Sequence, residues 1–197
     1  MTATAPQLAI FAFRRPNDLG RLLRSVSACR RLDECAITIY CDGPRGPEDA
    51  DAVAAAPGTH LILMHNQEGT EYRDGVYAMV VAWLRDAIDA VIARGVERDR
   101  LIVDPGIGFG KGTEQNLELL HRLSAVKAEL GGLPVLVGTS RKRFLGELLD
   151  GASPDDRLEG TAATAALAVA SGADIVRVHD VATIARTLRV ADAVVRG

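Results

Sequence analysis

The chain has no segment long and apolar enough to be a membrane span. The uncharged stretch Gly160–Ala173 is too short to cross a bilayer, and its alanine content suits a buried helix. The short apolar run Leu8–Phe13 is broken by Arg14 and Arg15, so no signal peptide is expected. Neither charge dominates. The net charge is −3, which offers no basic field to nucleic acid or to a membrane surface. The three cysteines, Cys29, Cys35 and Cys41, are odd in number and lack C-x-x-C spacing. They are read as reduced, packed thiols of a cytoplasmic protein, and a zinc site is not expected.

What is present is a soluble α/β composition. The 197 residues suit one domain, or a domain plus a fragment, with 48% hydrophobic and 25% charged residues. Short apolar runs alternate with helical periodicity. Strands are expected at Leu8–Phe13, Ala36–Cys41, Leu61–His65, Leu101–Val103, Pro134–Val137 and Ile175–Val178. The first helix is expected over about 18–29, with Asn17 as its cap. The second carries Val76, Val80, Leu84, Ile88 and Ile92 four apart and stops at Gly95. A third, capped by Thr113, turns Leu117, Leu120, Leu123 and Val126 inward. A helical region opening at Ser153-Pro154 and a final helix over about 181–195 complete the series. Repeated βα units of this kind mean a parallel sheet, open or curled toward a barrel.

The chemistry gathers at the strand ends. Asp104–Lys111 reads DPGIGFGK, a carboxylate followed by three glycines that let backbone approach a ligand. An ordinary turn explains that motif about as well when it stands alone. The fifth strand, however, runs into Gly138-Thr139-Ser140-Arg141-Lys142, where a helix N-terminus and positive side chains suit an anion. Arg177 and His179 lie two apart on the sixth strand and so share a face, a costly arrangement unless they meet an anion. The alternatives are a solvated basic turn and an exposed edge. Such strand ends are where parallel α/β folds build their sites.

Four segments in order, LILMHN, DPGIGFGK, PVLVGTSRK and IVRVHDV, with RLEGTAAT before the last, resemble dihydropteroate synthase from about residue 54 onward. The resemblance implies a TIM-barrel fold and the joining of dihydropterin hydroxymethyl pyrophosphate to p-aminobenzoate in folate synthesis. It implies that Asp104 holds the pterin N–H edge and that Lys142 reaches a pterin carbonyl. Met64, Phe109 and Gly138 would line the pterin slot, Arg177 and His179 would grip pyrophosphate, and Ser140 would approach the p-aminobenzoate carboxylate. The catalytic set expected is therefore Asp104, Lys142, Arg177 and His179. Mg2+ is implied as cofactor, although its usual protein ligand has no match here and no residue is assigned to metal.

The resemblance covers the second half of an eight-stranded barrel. Residues 1–53 instead resemble the first βαβ unit of nucleotide-sugar glycosyltransferases, with Asp42 as the acid that would touch a nucleotide. The expected fold is thus α/β: a partial, TIM-barrel-like set of βα units over 54–197 behind an extra N-terminal βαβ unit at 1–53. The seam would fall in the Ala/Val run 51–56, as in a chimera. Alternative readings are a non-catalytic pterin- or pyrophosphate-binding fragment and a glycosyltransferase-related fragment. An unpaired strand edge would favour homo-oligomers.

Overall fold

A computed structural model describes residues 60–197 in full and, ahead of them, the backbone of two strands, Gln7–Ala12 and Ala36–Asp42. The expected helix over 18–29, the turn after Asp42 and the seam at 51–56 lie outside the described residues. Two compact units are present. One takes the described residues up to Leu63 together with Ala90–Leu101; the other takes Met64–Asp89 and Ile102–Gly197.

In the first unit, β1 (Gln7–Ala12) and β2 (Ala36–Asp42) run parallel, from Gln7 opposite Ala36 to Ala12 opposite Cys41. The strand β3 (His60–Met64) pairs parallel with β2, from Tyr40 opposite His60 to Asp42 opposite Ile62. All three strands fall within a residue of the expected positions. Leu61, Ile62 and Leu63 are all buried. A strand buried on both faces reads as a continuous apolar run, as this one does.

The helix α1 (Val76–Ile92) is stopped by Gly95, which has φ +89. The Gly95 N–H donates to the Ile92 carbonyl (2.9 Å) and the Val96 N–H to the Val91 carbonyl (3.2 Å), the paired bonds of a left-handed helix end. Val76, Val80, Leu84 and Ile88 are buried as expected, but Ile92 is 38% exposed and Val91 takes the inward place. The cause is geometric. Steps of four residues overshoot a 3.6-residue turn by about 40° each, so the stripe drifts off the core.

The second unit holds the strand tips. β4 (Leu101–Asp104) is buried along its length. The Val103 N–H donates to the Pro134 carbonyl at 2.9 Å, and Val103 bridges Val135 in parallel. β5 (Leu136–Val137) pairs parallel with β6 (Ile175–Val176). Past the end of β3, the His65 N–H still donates to the Asp104 carbonyl at 3.0 Å. The tips therefore lie in sequence order, each parallel to the next, with helices between them. That is the topology of a sector of a βα barrel.

The stretch expected as one helix capped by Thr113 is two helices, α2 (Thr113–His121) and α3 (Leu123–Glu129), with Gly112 as the cap. The Gln115 Oε1 accepts the Gly112 N–H at 2.8 Å. The buried line is Asn116, Leu119, Leu123 and Val126, while Leu117 and Leu120 are half-buried. The start at Gly112 turns Asn116 inward, and the 3–4–3 spacing from there selects Leu119 over Leu120. After α4 (Arg143–Leu148) comes a turn of 3-10 helix (Pro154–Asp156). Then follow α5 (Leu158–Ala170) and α6 (Val181–Arg196). No described helix is long and apolar enough to cross a membrane.

Replacing Leu119 by Ala should cost about 2–5 kcal/mol in urea unfolding, and replacing Leu120 less than half of that. Equal losses would return the inward face to the one expected from sequence.

Candidate active site

The site begins with a buried carboxylate. Asp104 closes β4 with 1% exposure, and a buried charge persists only where donors meet it. The Gly106 N–H donates to Oδ1 at 2.8 Å, and the Arg177 guanidinium donates to Oδ2 at 3.3 Å. The first contact requires the chain to turn back on itself. Gly106 takes φ +71, and a Cβ there would run into the His65 carbonyl oxygen, so only glycine fits. The second contact requires Arg177 to pass close to β5. Gly138 allows it, since a Cβ at that position would sit 3.3 Å from the Arg177 Nε.

The glycine loop is held from beneath by Lys111, which is 4% exposed. Its ammonium donates to the Phe109 carbonyl at 2.9 Å and the Gly106 carbonyl at 3.0 Å, and lies 3.0 Å from the His65 Nδ1. All three ammonium protons thus have an acceptor if His65 is neutral. Burial and the nearby Lys111 push the His65 pKa down to about 4, which keeps it neutral. Burial likewise lowers Lys111 to about 8, against the pull of Asp104. Asn116 adds a further tie: its Oδ1 accepts the Gly108 N–H at 2.6 Å. Tyr72 completes the set with a hydroxyl bond to the Gly110 carbonyl at 2.9 Å.

The residues expected from sequence converge here. Met64 ends β3, half-buried, with its sulfur 4.0 Å from the Arg177 guanidinium. The Lys142 ammonium stands 3.5 Å above the centre of the Phe109 ring. Burial, reinforced by Arg177, lowers the Lys142 pKa to about 8. Burial pushes the Asp104 carboxyl up, against the pull of Arg177, the Gly106 N–H and both lysines. Ser140 is buried, with its hydroxyl 3.0 Å from the His179 Nδ1.

Two expectations about local structure need correction. β6 ends at Val176, not Val178, so Arg177 and His179 are not two residues of one strand face. The Arg177 N–H continues the ladder to the Val137 carbonyl, but the His179 N–H is taken by the Ser140 hydroxyl. His179 is exposed. The Ser140–Lys142 segment is also a closed turn ahead of a six-residue helix. There the Arg141 guanidinium is bound by Asp180 and Asp155, so it is not displayed to an anion at a long helix. Sequence reading assigned no role to His65, Lys111 or Asn116. The last two stand inside or just after the glycine motif, where Lys111 satisfies carbonyls and Asn116 an N–H group turned inward by its turns.

One cavity of about 200 Å3 opens beside the glycine loop, between Gly108, Gly110, Asn116 and Arg143. Another, of about 370 Å3, lies between α5, β6 and α6. Neither is lined by Asp104 or Arg177.

The sequence of the pterin binding enzyme family matches residues 43–179. The chain belongs to that family. Dihydropteroate synthase of Bacillus subtilis (strain 168) is 42% identical over 142 residues, which is 72% of this chain and 48% of that protein. The enzyme of Synechocystis sp. is 44% identical over 152 residues, 74% of this chain and 52% of that protein. The chain thus spans about half the length of the curated relatives it matches. Among solved structures, Clostridium difficile dihydropteroate synthase in the presence of pteroic acid aligns with a TM-score of 0.75 at 32% identity. That alignment covers 91% of this chain and 74% of the other. The Xanthomonas albilineans enzyme in complex with 7,8-dihydropteroate aligns with a TM-score of 0.76 at 29% identity, over 98% and 94%. Asp104 closes β4 and Arg177 directly follows β6, while Lys111 and Lys142 lie in the loops that follow β4 and β5.

The depressed His65 pKa carries a pH signature. Between pH 6.5 and about 4 the unfolded chain binds a proton at His65 that the folded chain refuses, so stability falls as pH falls through that window. Asp104, with its pKa raised, acts in the opposite sense above pH 3.8. Substituting His65→Gln should therefore remove about 2 kcal/mol of acid sensitivity between pH 7 and pH 5, leaving the Asp104 contribution. Urea unfolding of both proteins at pH 7 and pH 5 checks this, and parallel pH dependences would contradict it.

Proposed function

We propose that the chain acts as a dihydropteroate synthase, joining dihydropterin hydroxymethyl pyrophosphate to p-aminobenzoate. The observation that carries the reading is Asp104, a carboxylate held at a strand tip, beneath a glycine loop, in a pterin-binding fold. Related enzymes have been solved with pteroic acid and with 7,8-dihydropteroate, which supports the same substrates here. In this reading Asp104 accepts from the pterin N–H edge. Lys142 donates to a pterin carbonyl, and Met64, Phe109 and Gly138 line the slot. Ser140 approaches the p-aminobenzoate carboxylate.

The chemistry is a displacement at the pterin methylene. The aniline nitrogen forms the new C–N bond and later loses a proton, while the C–O bond breaks and its electron pair leaves with pyrophosphate. The protein's part is to orient the amine and stabilise the departing charge. Arg177 and His179 supply that stabilisation: a guanidinium can grip two oxygens at once.

Mg2+ fits the described residues poorly. It takes six oxygen ligands in a tight octahedron, several of them often water. Among the described residues no three His, Cys, Asp or Glu gather as a metal site. No step is therefore routed through the ion. Residues 54–197 serve as the pterin-binding half barrel and residues 1–53 as an N-terminal βαβ unit whose strand β2 pairs with β3. The protein works in the cytoplasm and self-associates through an open strand edge.

Exchanging Asp104 for Asn replaces an acceptor with a donor facing the pterin N–H. Pterin affinity, read by fluorescence titration, should fall about 10- to 100-fold; unchanged affinity would rule out the assignment. Calorimetric titration of pyrophosphate into the wild type and Arg177→Ala tests the anion site, which equal affinities would remove. Self-association is checked by light scattering, where a monodisperse monomer at high concentration would count against it.

A further inference from the structure

The RLEGTAAT segment has no part in the chemistry described above, yet it contributes three polar side chains to a single turn. Arg157 precedes α5, and Thr161 and Thr164 follow at the fourth and seventh positions after it, the spacing that keeps residues on one helical side. The Arg157 Nη1 donates to the Arg141 carbonyl at 2.9 Å and the Lys142 carbonyl at 3.1 Å. Its Nε donates to the Ala152 carbonyl at 2.8 Å. The buried Thr161 accepts the Arg141 N–H through its hydroxyl at 3.4 Å. The Thr164 and Thr139 hydroxyls are 2.8 Å apart. Thr139, Arg141 and Lys142 are thus each tied to this one segment.

The turn needs such ties. Arg141 sits at φ +61, in the left-handed region that side chains other than glycine, asparagine and aspartate seldom occupy. A strained residue holds that conformation only where its surroundings over-determine it. The seat of the guanidinium is itself built for the purpose. It lies against Gly146 of α4, and a Cβ there would fall 2.6 Å from the guanidinium carbon. The planar fork reaches three carbonyls from one position, which a lysine ammonium on its flexible stem does not reproduce.

We propose that Arg157, with Thr161 and Thr164, is the positioning element of the active-site turn, holding Thr139–Lys142 in its strained form so that the Lys142 ammonium stands over the Phe109 ring. The geometry stands without an assigned substrate. Only the pterin-binding readout below rests on the function proposed above.

Two readouts test this on the full chain. The first is competitive amine labelling across pH, read residue by residue by mass spectrometry. Lys142 and Lys111 both have pKa values lowered to about 8, from 10.5. In Arg157→Ala the Lys142 midpoint should return toward 10.5, cutting its labelling at pH 8 by about tenfold or more. Lys111, lowered chiefly by its own burial and only secondarily by Lys142, should move much less. Gly146→Ala, which leaves every donor in place and displaces only the guanidinium, should act in the same direction.

The second readout is pterin affinity in a double-mutant cycle. Arg157→Ala should weaken binding in the wild type and add little in a Lys142→Ala background, as expected of a residue that acts through another. Additive losses would overturn the proposal. So would an unmoved Lys142 midpoint, or a matching shift at Lys111, since Arg157 would then support the fold at large. A wild type that binds no pterin would count against the proposed function alone, and the labelling would still decide the role of Arg157.

Discussion

A carboxylate with almost no exposure to water must be met by donors, and Asp104 imposes that requirement on its surroundings. One donor is a backbone N–H two residues ahead, which the chain can supply only by folding back through Gly106 against the His65 carbonyl. The other is the guanidinium of Arg177, which reaches in past Gly138. The same fold-back leaves the Gly106 and Phe109 carbonyls facing inward, where the Lys111 ammonium takes both. That ammonium in turn requires an acceptor at His65, which burial keeps neutral. One buried charge thus links residues from four strand tips, and removing either half of such a pair typically costs about 3–5 kcal/mol.

Much of this was legible before any coordinates. The strands that carry the site announced themselves as short apolar runs, and the glycine spacing after Asp104 marked a backbone that had to come close to something. Arg177, a cation expected to need an anionic partner, pairs within the protein with Asp104. Less legible was anything set by the pairing of distant loops. Lys111 follows a glycine and precedes another, and in a linear string it looks like a solvated turn residue. Only the proximity of His65, 46 positions earlier, shows that it is buried.

The helical faces failed for local reasons. Four-residue spacing in α1 pointed to Ile92, yet the 3.6-residue turn hands the inward place to Val91. Thr113 had the chemistry of a cap, but Gly112 is the residue whose N–H is answered by Gln115. That shift of one position, with a break at Arg122, was enough to turn Leu119 inward and leave Leu120 at the margin. Register errors of this size do not change which element a residue belongs to. They do change which side chain is buried.

The depth of the Lys111 ammonium separates two kinds of electrostatics in one molecule. Pairs such as Arg85–Glu129 and Arg122–Glu118 are about half exposed, and ions in the medium screen them over a Debye length of about 8 Å at physiological salt. The contacts beneath the glycine loop lie within that distance and exclude the ions. As salt concentration rises, the outer pairs fade while the loop keeps its shape. A charged ligand would then arrive more slowly, and meet the same surface when it does.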